Sequence, residues 1–416
     1  MSSPLLLPQT ITRIKNQAPN LIGEENNGSR KVSLGLVSAS VSRSSSSSLP
    51  DDRAFIDIPV RFESAFTFEF LCFTTAKAQE IFNALCVKQH ATKTTLNIDE
   101  YAKEFATAYC DNAQDTTDDW ITTMREAGIK EEIQLALMKP EHDRIRKINT
   151  LSTWMEIIID TNYFALIEMN AKILYELGEP AEPPELSLRG GGEEEYTVPQ
   201  MPGGHLAIYK SVDFRRTIGC VSEDGTVDLQ YLESTGPTDF ARRGGLYFTH
   251  QLWVARHYSA LISDACPASD RRTVEMHVPL AHFAKVKTWD LKPDDDDLKQ
   301  LWFYSRRSAK YPKELSKKRA AVGVIQGPIA HTHNKSFGKM ESWQDVTDNH
   351  ILKEDDEEEG GPAKIATQYA WIKEGAIEEL EIDCAGKLYL RRPEDGFRKI
   401  AQPWKDTSSK SEAGLM

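Results

Sequence analysis

The sequence predicts an α+β protein in which an α-helical N-terminal domain precedes a domain built on a mixed or antiparallel β-sheet. Two observations lead to this fold class. Apolar residues recur at helical spacing between residues 51 and 185, and short alternating segments separated by turns follow from His205 onward. Because these segments do not alternate regularly with helices, repeated βαβ units are not expected.

The chain of 416 residues is long enough for two or three domains. Proline, glycine and glutamate crowd into the segment that follows residue 178, which is typical of a linker. The serine run 44–48 cannot contribute to a core, and the last residues are polar. We therefore predict a disordered tail at 1–50, an α-helical domain at 51–185, a linker at 186–204, an α+β domain at 205–395 and a second disordered tail at 396–416.

Four helices are expected in the N-terminal domain, at about 75–86, 98–110, 117–138 and 153–177. The candidate N-caps are Thr74 or Thr75, then Asn97, then Ser152 or Thr153. The fourth helix carries an apolar stripe, which is interrupted by Asn162. Its members are Met155, Ile159, Leu166, Met169, Ile173 and Leu177. The stripe fits the core of a helical bundle, and the alternative is a groove for a protein partner.

The C-terminal domain is expected to contain six short strands. Alternation is clearest where Val274, Met276 and Val278 point to one face. The predicted strands cover 206–209, 245–249, 273–280, 322–325, 365–372 and 388–390, and the predicted helices cover 251–262 and 374–380. A short strand or an extended entry segment is expected at 56–62, before the first predicted helix.

Composition excludes several classes of protein. The 63 acidic and 50 basic residues give a net charge of −13, which argues against a broadly basic nucleic-acid binder. No apolar stretch is long enough for a transmembrane helix. The six cysteines are sparse and form no CxxC pair, so we expect reduced thiols inside a cell. Glu24 and Glu25 argue against a mitochondrial transit peptide, so a cytoplasmic or nuclear location is expected before a mitochondrial one.

Common catalytic and metal-binding motifs are absent. The sequence contains no GxGxxG, P-loop, GxSxG or HExxH pattern. The spacing of His331, His333 and His350 matches no recognised metal site, so no metal is predicted. A basic run lies between Arg306 and Arg319. It fits a solvated helical face, a two-part nuclear localisation signal or an anion-binding surface.

Five segments occur in an order that resembles the ADP-ribosyltransferase superfamily, in particular a poorly characterised family of toxin-like domains found mostly in bacteria. The segments are Ile208-Tyr209-Lys210-Ser211; Gly245-Leu246-Tyr247-Phe248-Thr249 with Ala255 and Tyr258 downstream; the strand from Val274 to Leu280 leading to Trp289; Leu301-Trp302-Phe303 with the later Gly327-Pro328-Ile329-Ala330; and Gln368-Tyr369-Ala370-Trp371 with Ala376. The resemblance covers residues 205–382 only.

The resemblance implies a split β-sheet that binds NAD as a substrate in the cleft between its halves. It further implies transfer of ADP-ribose to a protein or nucleic-acid acceptor, or hydrolysis of NAD. By position in the motifs, Lys210, Tyr247 and Gln368 would be the catalytic residues. The residues that would contact NAD are Tyr209, Ser211, Gly245, Thr249 and Tyr258. Arg306 and Arg307 would reach the NAD pyrophosphate.

Two departures from the family pattern support a second hypothesis. Lys210 stands where the family has histidine, and Gln368 stands where many active relatives have glutamate. Glutamine can bind a hydroxyl group but carries no charge and is no base at neutral pH. The alternative function is therefore a catalytically degenerate member that acts as an interaction or regulatory protein.

Overall fold

The structure is a computed structural model that describes residues 3–37, 55–111, 113, 117–176, 200–217, 220, 226–234, 236–269, 271–354 and 364–391. Most of the predicted linker at 186–204 and the whole predicted tail at 396–416 lie outside these residues, as does Leu177 of the apolar stripe.

The N-terminal residues form a small sheet with two helices. Its elements are α1 (Pro8–Gln17), β1 (Ile22–Asn26), β2 (Ser29–Ser33), α2 (Leu34–Val37) and β3 (Phe55–Pro59). The three strands pair antiparallel in sequence order. Ile14, Val32, Leu36 and Ile58 are buried together. The prediction of a disordered tail is therefore wrong for residues 3–37, because their scattered apolar side chains supply a core that no single periodic segment reveals.

Seven α-helices follow in the described part of residues 65–176. They are α3 (Ala65–Leu71), α4 (Thr75–Thr92), α5 (Ile98–Cys110), α6 (Thr117–Glu126), α7 (Glu131–Leu137), α8 (Asp143–Arg146) and α9 (Leu151–Glu176). The third predicted helix is in fact two, α6 and α7. The chain turns between them at Gly128, whose φ is +69°, and Ile129 then pairs with Phe73. At the start of α9, the Thr150 hydroxyl accepts a hydrogen bond from the Thr153 N–H. The expected cap at Ser152 or Thr153 is therefore wrong.

The apolar stripe on α9 is buried inside the molecule. Met155 and Ile159 pack in the core of the helical region, whereas Leu166, Met169 and Ile173 pack against the N-terminal sheet. Asn162, which interrupts the stripe, donates a hydrogen bond to the Leu71 carbonyl at 2.7 Å. The described part of the stripe therefore contributes to cores, and the prediction of a partner groove there is wrong.

The C-terminal region contains a seven-stranded mixed sheet, which confirms the α+β class. Its elements are β4 (His205–Asp213), β5 (Leu246–Thr249), α10 (Leu252–Ala265), β6 (Arg271–Pro279), α11 (Leu280–Lys285), β7 (Thr288–Asp290), α12 (Asp296–Arg306), α13 (Lys313–Ala320), β8 (Val324–Pro328), α14 (Asn334–Lys339), β9 (Lys353–Glu354), β10 (Lys364–Ile365), β11 (Thr367–Trp371), α15 (Glu374–Asp383) and β12 (Leu388–Arg391). The strand order is β12-β6-β4-β5-β11-β8-β7, and β9 pairs with β10 separately. Only β7 and β8 run parallel among the paired strands described.

The sheet consists of two halves that barely touch. Strand β4 pairs with β6 from His205 to Asp213, but it pairs with β5 only where Tyr209 lies opposite Thr249. On the other side of this junction, β5 pairs with β11 along its whole length. One half is therefore β12-β6-β4, the other is β5-β11-β8-β7, and they meet at a single residue pair.

The helical region and the sheet region share one hydrophobic core. Val254, Leu261 and Ile262 of α10 are buried in the same cluster as Trp154 and Ile158 of α9. Asp264 of α10 also bonds His142 Nε2 at 2.8 Å. The two predicted domains are therefore two stretches of chain around a continuous core. Within the described residues, no helix combines the length and apolar character that crossing a bilayer requires.

Candidate functional site

A row of polar side chains crosses the middle of the sheet on one face. Directly opposite residues in antiparallel strands point to the same face. Tyr389 lies opposite Glu275, Glu275 opposite Tyr209, Tyr209 opposite Thr249, and Thr249 opposite Gln368. The structure therefore brings together three of the residues that the sequence proposed, Tyr209, Thr249 and Gln368, at the point where the two halves meet. We call this place the junction site.

The carboxamide of Gln368 is held in one orientation. Its Nε2 donates to Asp239 Oδ2 and to the Pro328 carbonyl, the second at 3.2 Å. Since an amide nitrogen has two hydrogens, both donors are used. Gln368 Oε1 bonds to no donor among the described residues. Gln368 therefore offers a hydrogen-bond acceptor, and no donor, to a molecule at the junction site.

The group that holds Gln368 is a buried ion pair. Arg306 Nε donates to Asp239 Oδ1 at 2.7 Å, and the Ala330 N–H donates to Asp239 Oδ2 at 2.9 Å. Arg306 also donates to Asn334 Oδ1 at 3.1 Å. Asp239 is 2% exposed, Arg306 8% and Gln368 8%. Because a buried charge must be paired, this arrangement fixes the segment around Asp239 against β11.

Tyr247 has a structural task at the site. Its hydroxyl is hydrogen-bonded to Thr238 Oγ1 at 2.7 Å and accepts from the Phe240 N–H at 3.1 Å. Burial raises the pKa of Tyr247 above its ordinary value. The hydroxyl therefore anchors the turn that carries Asp239, and it does not face an open pocket as the sequence proposed.

Tyr209 and Tyr258 are partly buried near the same place. Burial raises the pKa of Tyr209, and the negative charge of Glu275 raises it further. The Tyr209 hydroxyl has no hydrogen-bond partner among the described residues. Burial also raises the pKa of Tyr258, on which the charges of Arg306 and Asp239 act with opposite signs. Tyr209 thus contributes an available hydroxyl, and Tyr258 lies close to the Asp239–Arg306 pair.

Lys210 points to the opposite face of the sheet from Gln368, because it follows Tyr209 on the strand. Its ammonium group donates to Ser234 Oγ at 3.1 Å and to the Tyr247 carbonyl at 3.2 Å. It therefore bridges the two halves where β4 and β5 no longer pair. Burial lowers the pKa of Lys210 to about 7, and the charges of Arg216 and Arg271 add to the effect. The structure therefore does not bring Lys210 together with Gln368.

The remaining predicted contacts are structural. Ser211 Oγ accepts a hydrogen bond from Arg271 at 3.0 Å. A Cβ on Gly245 would lie 3.1 Å from the Trp371 carbonyl, so glycine permits the close approach of β5 to the end of β11. Arg307 donates to the Phe337 and Met340 carbonyls at 3.0 and 2.6 Å. With Arg306 bound to Asp239, neither arginine is placed as the sequence proposed for a pyrophosphate.

A second polar cluster on the same face was not foreseen from the sequence. His277 Nε2 donates to Glu275 Oε1 at 2.8 Å, and Arg391 Nε donates to Glu275 Oε2. Glu275 is 3% exposed and His277 1%. The buried Nδ1 of His277 has no hydrogen-bond partner in the part of the chain that the structure describes. A signal was present, since Thr273, Glu275 and His277 alternate with the apolar residues of the predicted strand. Asp239 had no comparable signal.

The histidines considered for a metal do not converge. The His331 N–H donates to the His350 carbonyl at 2.7 Å, and His333 accepts from the Ser336 N–H. Within the part of the chain that the structure describes, no group of three metal-ligating side chains comes together. One cavity of about 330 Å³ lies at the N-terminal sheet, lined in part by Pro4, Ile11 and Arg30, and no predicted site residue lines it.

Comparisons with known proteins gave no relative. No family model matches the chain, and neither a curated protein nor a solved structure matches it. The function must therefore be argued from the site itself.

Proposed function

We propose that the junction site binds NAD and that the protein transfers ADP-ribose to a protein or nucleic-acid acceptor, or to water. The observation that carries the proposal is the meeting of the two half-sheets at one residue pair, Tyr209 and Thr249, with Gln368 beside them. Support also comes from the ordered resemblance of residues 205–382 to ADP-ribosyltransferases, whose split sheet would hold NAD between its halves.

In the proposed reaction, the bond between nicotinamide and ribose breaks and nicotinamide leaves. An acceptor oxygen or nitrogen forms a new bond to the same ribose carbon and loses a proton. The transition state carries positive charge on the ribose, so a group that fixes the ribose hydroxyls helps by orientation. Gln368 Oε1 would accept from a ribose hydroxyl, and the Tyr209 hydroxyl would contact the same ligand.

The contact with Asp239 explains why a neutral amide stands at position 368. A glutamate at position 368 could not donate to the Asp239 carboxylate and would repel it at hydrogen-bond distance. The departure from the family pattern is thus matched to a buried partner that this chain provides. Because Gln368 supplies no charge and no base, we expect turnover to be slow.

The alternative function is a catalytically degenerate, non-enzymatic interaction or regulatory protein. It is favoured by the position of Lys210, which fills the split between β4 and β5 on the face away from Gln368. In that case NAD would bind without being cleaved, or would not bind at all.

The test measures nicotinamide release from NAD by the full chain, together with NAD binding by calorimetry. The informative variant is Gln368→Ala. Gln326→Ala is a matched control, because Gln326 lies on the neighbouring strand β8 opposite Tyr369 and so faces the other side of the sheet. We expect release to be lost in the first variant and retained in the second.

Each outcome decides between the two functions. Binding without release supports the degenerate function. No binding by the wild-type chain contradicts the proposed enzyme, and equal activity of both variants contradicts the assignment of Gln368.

A further inference from the structure

The basic run of the sequence does not stay together in the fold. Arg306 turns inward, and the exposed Arg307 is bonded to two backbone carbonyls, as described above. Two exposed arginines from a distant segment, Arg242 and Arg243, take their place beside the rest of the run. We call the group of Arg242, Arg243, Lys310, Lys313 and Arg319 the basic surface.

The ring of Tyr311 positions two arginines of this surface. The guanidinium carbon of Arg242 lies 5.0 Å from the centre of the Tyr311 ring, and that of Arg319 lies 5.4 Å from it. Arg319 Nε also donates to the Phe240 carbonyl at 3.2 Å. Two like charges are thus held near one another by a shared aromatic ring and a backbone carbonyl. Their positions are set before any partner arrives, which lowers the entropy lost on binding.

The cations of the basic surface lack acidic partners. No carboxylate lies within ion-pair distance of any of the five among the residues described. The neighbouring lysines of α13 differ, because Lys317 pairs with Glu314 and Lys318 with Asp297. In a chain whose net charge is −13, the two arginines at Tyr311 and the cations that flank them in sequence form a local site for an anion.

The chemistry of the surface favours phosphates over a protein partner. Guanidinium groups match phosphate geometry and can bind it with two hydrogen bonds. None of the large apolar side chains found exposed in the described residues belongs to this surface. Protein interfaces usually rely on such apolar anchors, whereas contacts to a phosphodiester backbone need charge alone.

We propose that the basic surface binds the phosphate backbone of a single-stranded nucleic acid, without reading its sequence. The turn that carries Arg242 and Arg243 also carries Asp239, so the bound strand would pass beside the junction site. The proposal does not rest on NAD chemistry, since the surface contains none of the residues assigned to NAD.

The test measures binding of a fluorescent 20-nucleotide single strand by anisotropy across a range of KCl concentrations. Contact with three to five phosphates predicts that log K falls with log [KCl] with a slope of about −2 to −3.5. The variant Arg242→Gln/Arg243→Gln/Lys310→Gln should weaken binding at least about tenfold at low salt and make the slope shallower by about 2.

The control removes three exposed cations elsewhere, in Lys31→Gln/Lys93→Gln/Arg125→Gln, and so changes the net charge equally. We expect this variant to bind almost as the wild type does. Equal weakening in both variants, a wild-type slope near zero, or binding of inorganic polyphosphate without binding of the oligonucleotide would each overturn the proposal. Gln368→Ala should bind the strand normally, which separates this result from the test of the enzyme.

Discussion

The two halves of the seven-stranded sheet each bury a charged cluster on the same face, but the clusters differ in how completely they are enclosed. In the half that contains β11, Asp239 receives bonds from Gln368, Arg306 and Ala330 and is enclosed on all sides. In the half that contains β6, Glu275 receives bonds from His277 and Arg391, while His277 Nδ1 has no partner among the residues described.

The difference shows which cluster stabilises the fold more strongly and which tolerates the loss of a partner. The buried pair of Asp239 and Arg306 stabilises one arrangement strongly, because every alternative leaves a buried charge without its partner. In the other half, Arg391 keeps 30% of its side chain exposed and so can be solvated if its partner is lost. The first cluster therefore fixes the junction site, and the second secures the edge strand β12.

The largest expected effect comes from Asp239→Asn. The substitution leaves Arg306 buried without its carboxylate, and we expect a loss of about 3–5 kcal/mol in the free energy of unfolding. Urea denaturation measures it. The control is Asp297→Asn, whose partner Lys318 is exposed, so that about 1 kcal/mol or less should be lost. Similar losses in the two variants would show that the network is not enclosed in the way described.

Gln368→Glu should cost about 2–3 kcal/mol, since two carboxylates would then face one another in a buried site. The double variant Gln368→Glu/Asp239→Asn restores an amide–carboxylate pair in reversed order. We expect it to lose clearly less stability than the sum of the single variants, as measured by a double-mutant cycle in urea. Additive losses would mean that the two side chains do not act as a pair.

Lys210 joins the two halves and gives a pH-dependent prediction. Its pKa is lowered from 10.5 to about 7 in the folded state. Between these values the unfolded chain binds the proton that the folded chain has released, so this group makes stability rise with pH. Below about pH 7 the full penalty of charging the buried amine applies. Lys210→Met removes the effect.

The quantity to measure is the stability of Lys210→Met minus that of the wild type. Between pH 7.5 and 9 this difference should fall by about 2 kcal/mol in favour of the wild type. A control variant, Lys93→Met, alters an exposed lysine and should show no such trend. A constant difference for Lys210→Met would mean that the amine at the junction is solvated, and the halves would then be less tightly joined than described.

The smallest expected effect is that of Glu275→Gln, at about 1–2 kcal/mol. The loss should be local, because Glu275 holds Arg391 at the end of β12. Amide hydrogen exchange should become faster in Leu388–Arg391 and stay unchanged in β11. Faster exchange in both strands, or a loss as large as that of Asp239→Asn, would remove the distinction between the two clusters.

Local sequence pattern predicted much of the fold. The segment from Val274 to Val278 alternates and forms a strand, and the region around Asn97 begins a helix, because these elements are specified by nearest neighbours along the chain. Two features were not predicted from local pattern. The turn at Gly128 interrupts an otherwise helical pattern, and the N-terminal sheet depends on contacts with α9 that lie far away in sequence.

The candidate site was predicted in part for the same reason. The resemblance put Gln368 and Thr249 in the site, and strand pairing sets them side by side. It could not place Lys210, since one residue of register decides which face of a strand a side chain occupies. It also could not find Asp239, which reaches Gln368 across 129 positions of the chain.

The sequence by itself determined the fold class, the order of the strands along the chain and the residue types available for chemistry. The tertiary structure alone decided which of those residues meet. Helices and strands follow from periodicities that a few neighbouring residues encode, whereas burial, ion pairing and a shared sheet face depend on segments brought together only when the core forms. For that reason Arg306 is a buried partner of Asp239, and Arg242 joins the basic surface in its stead.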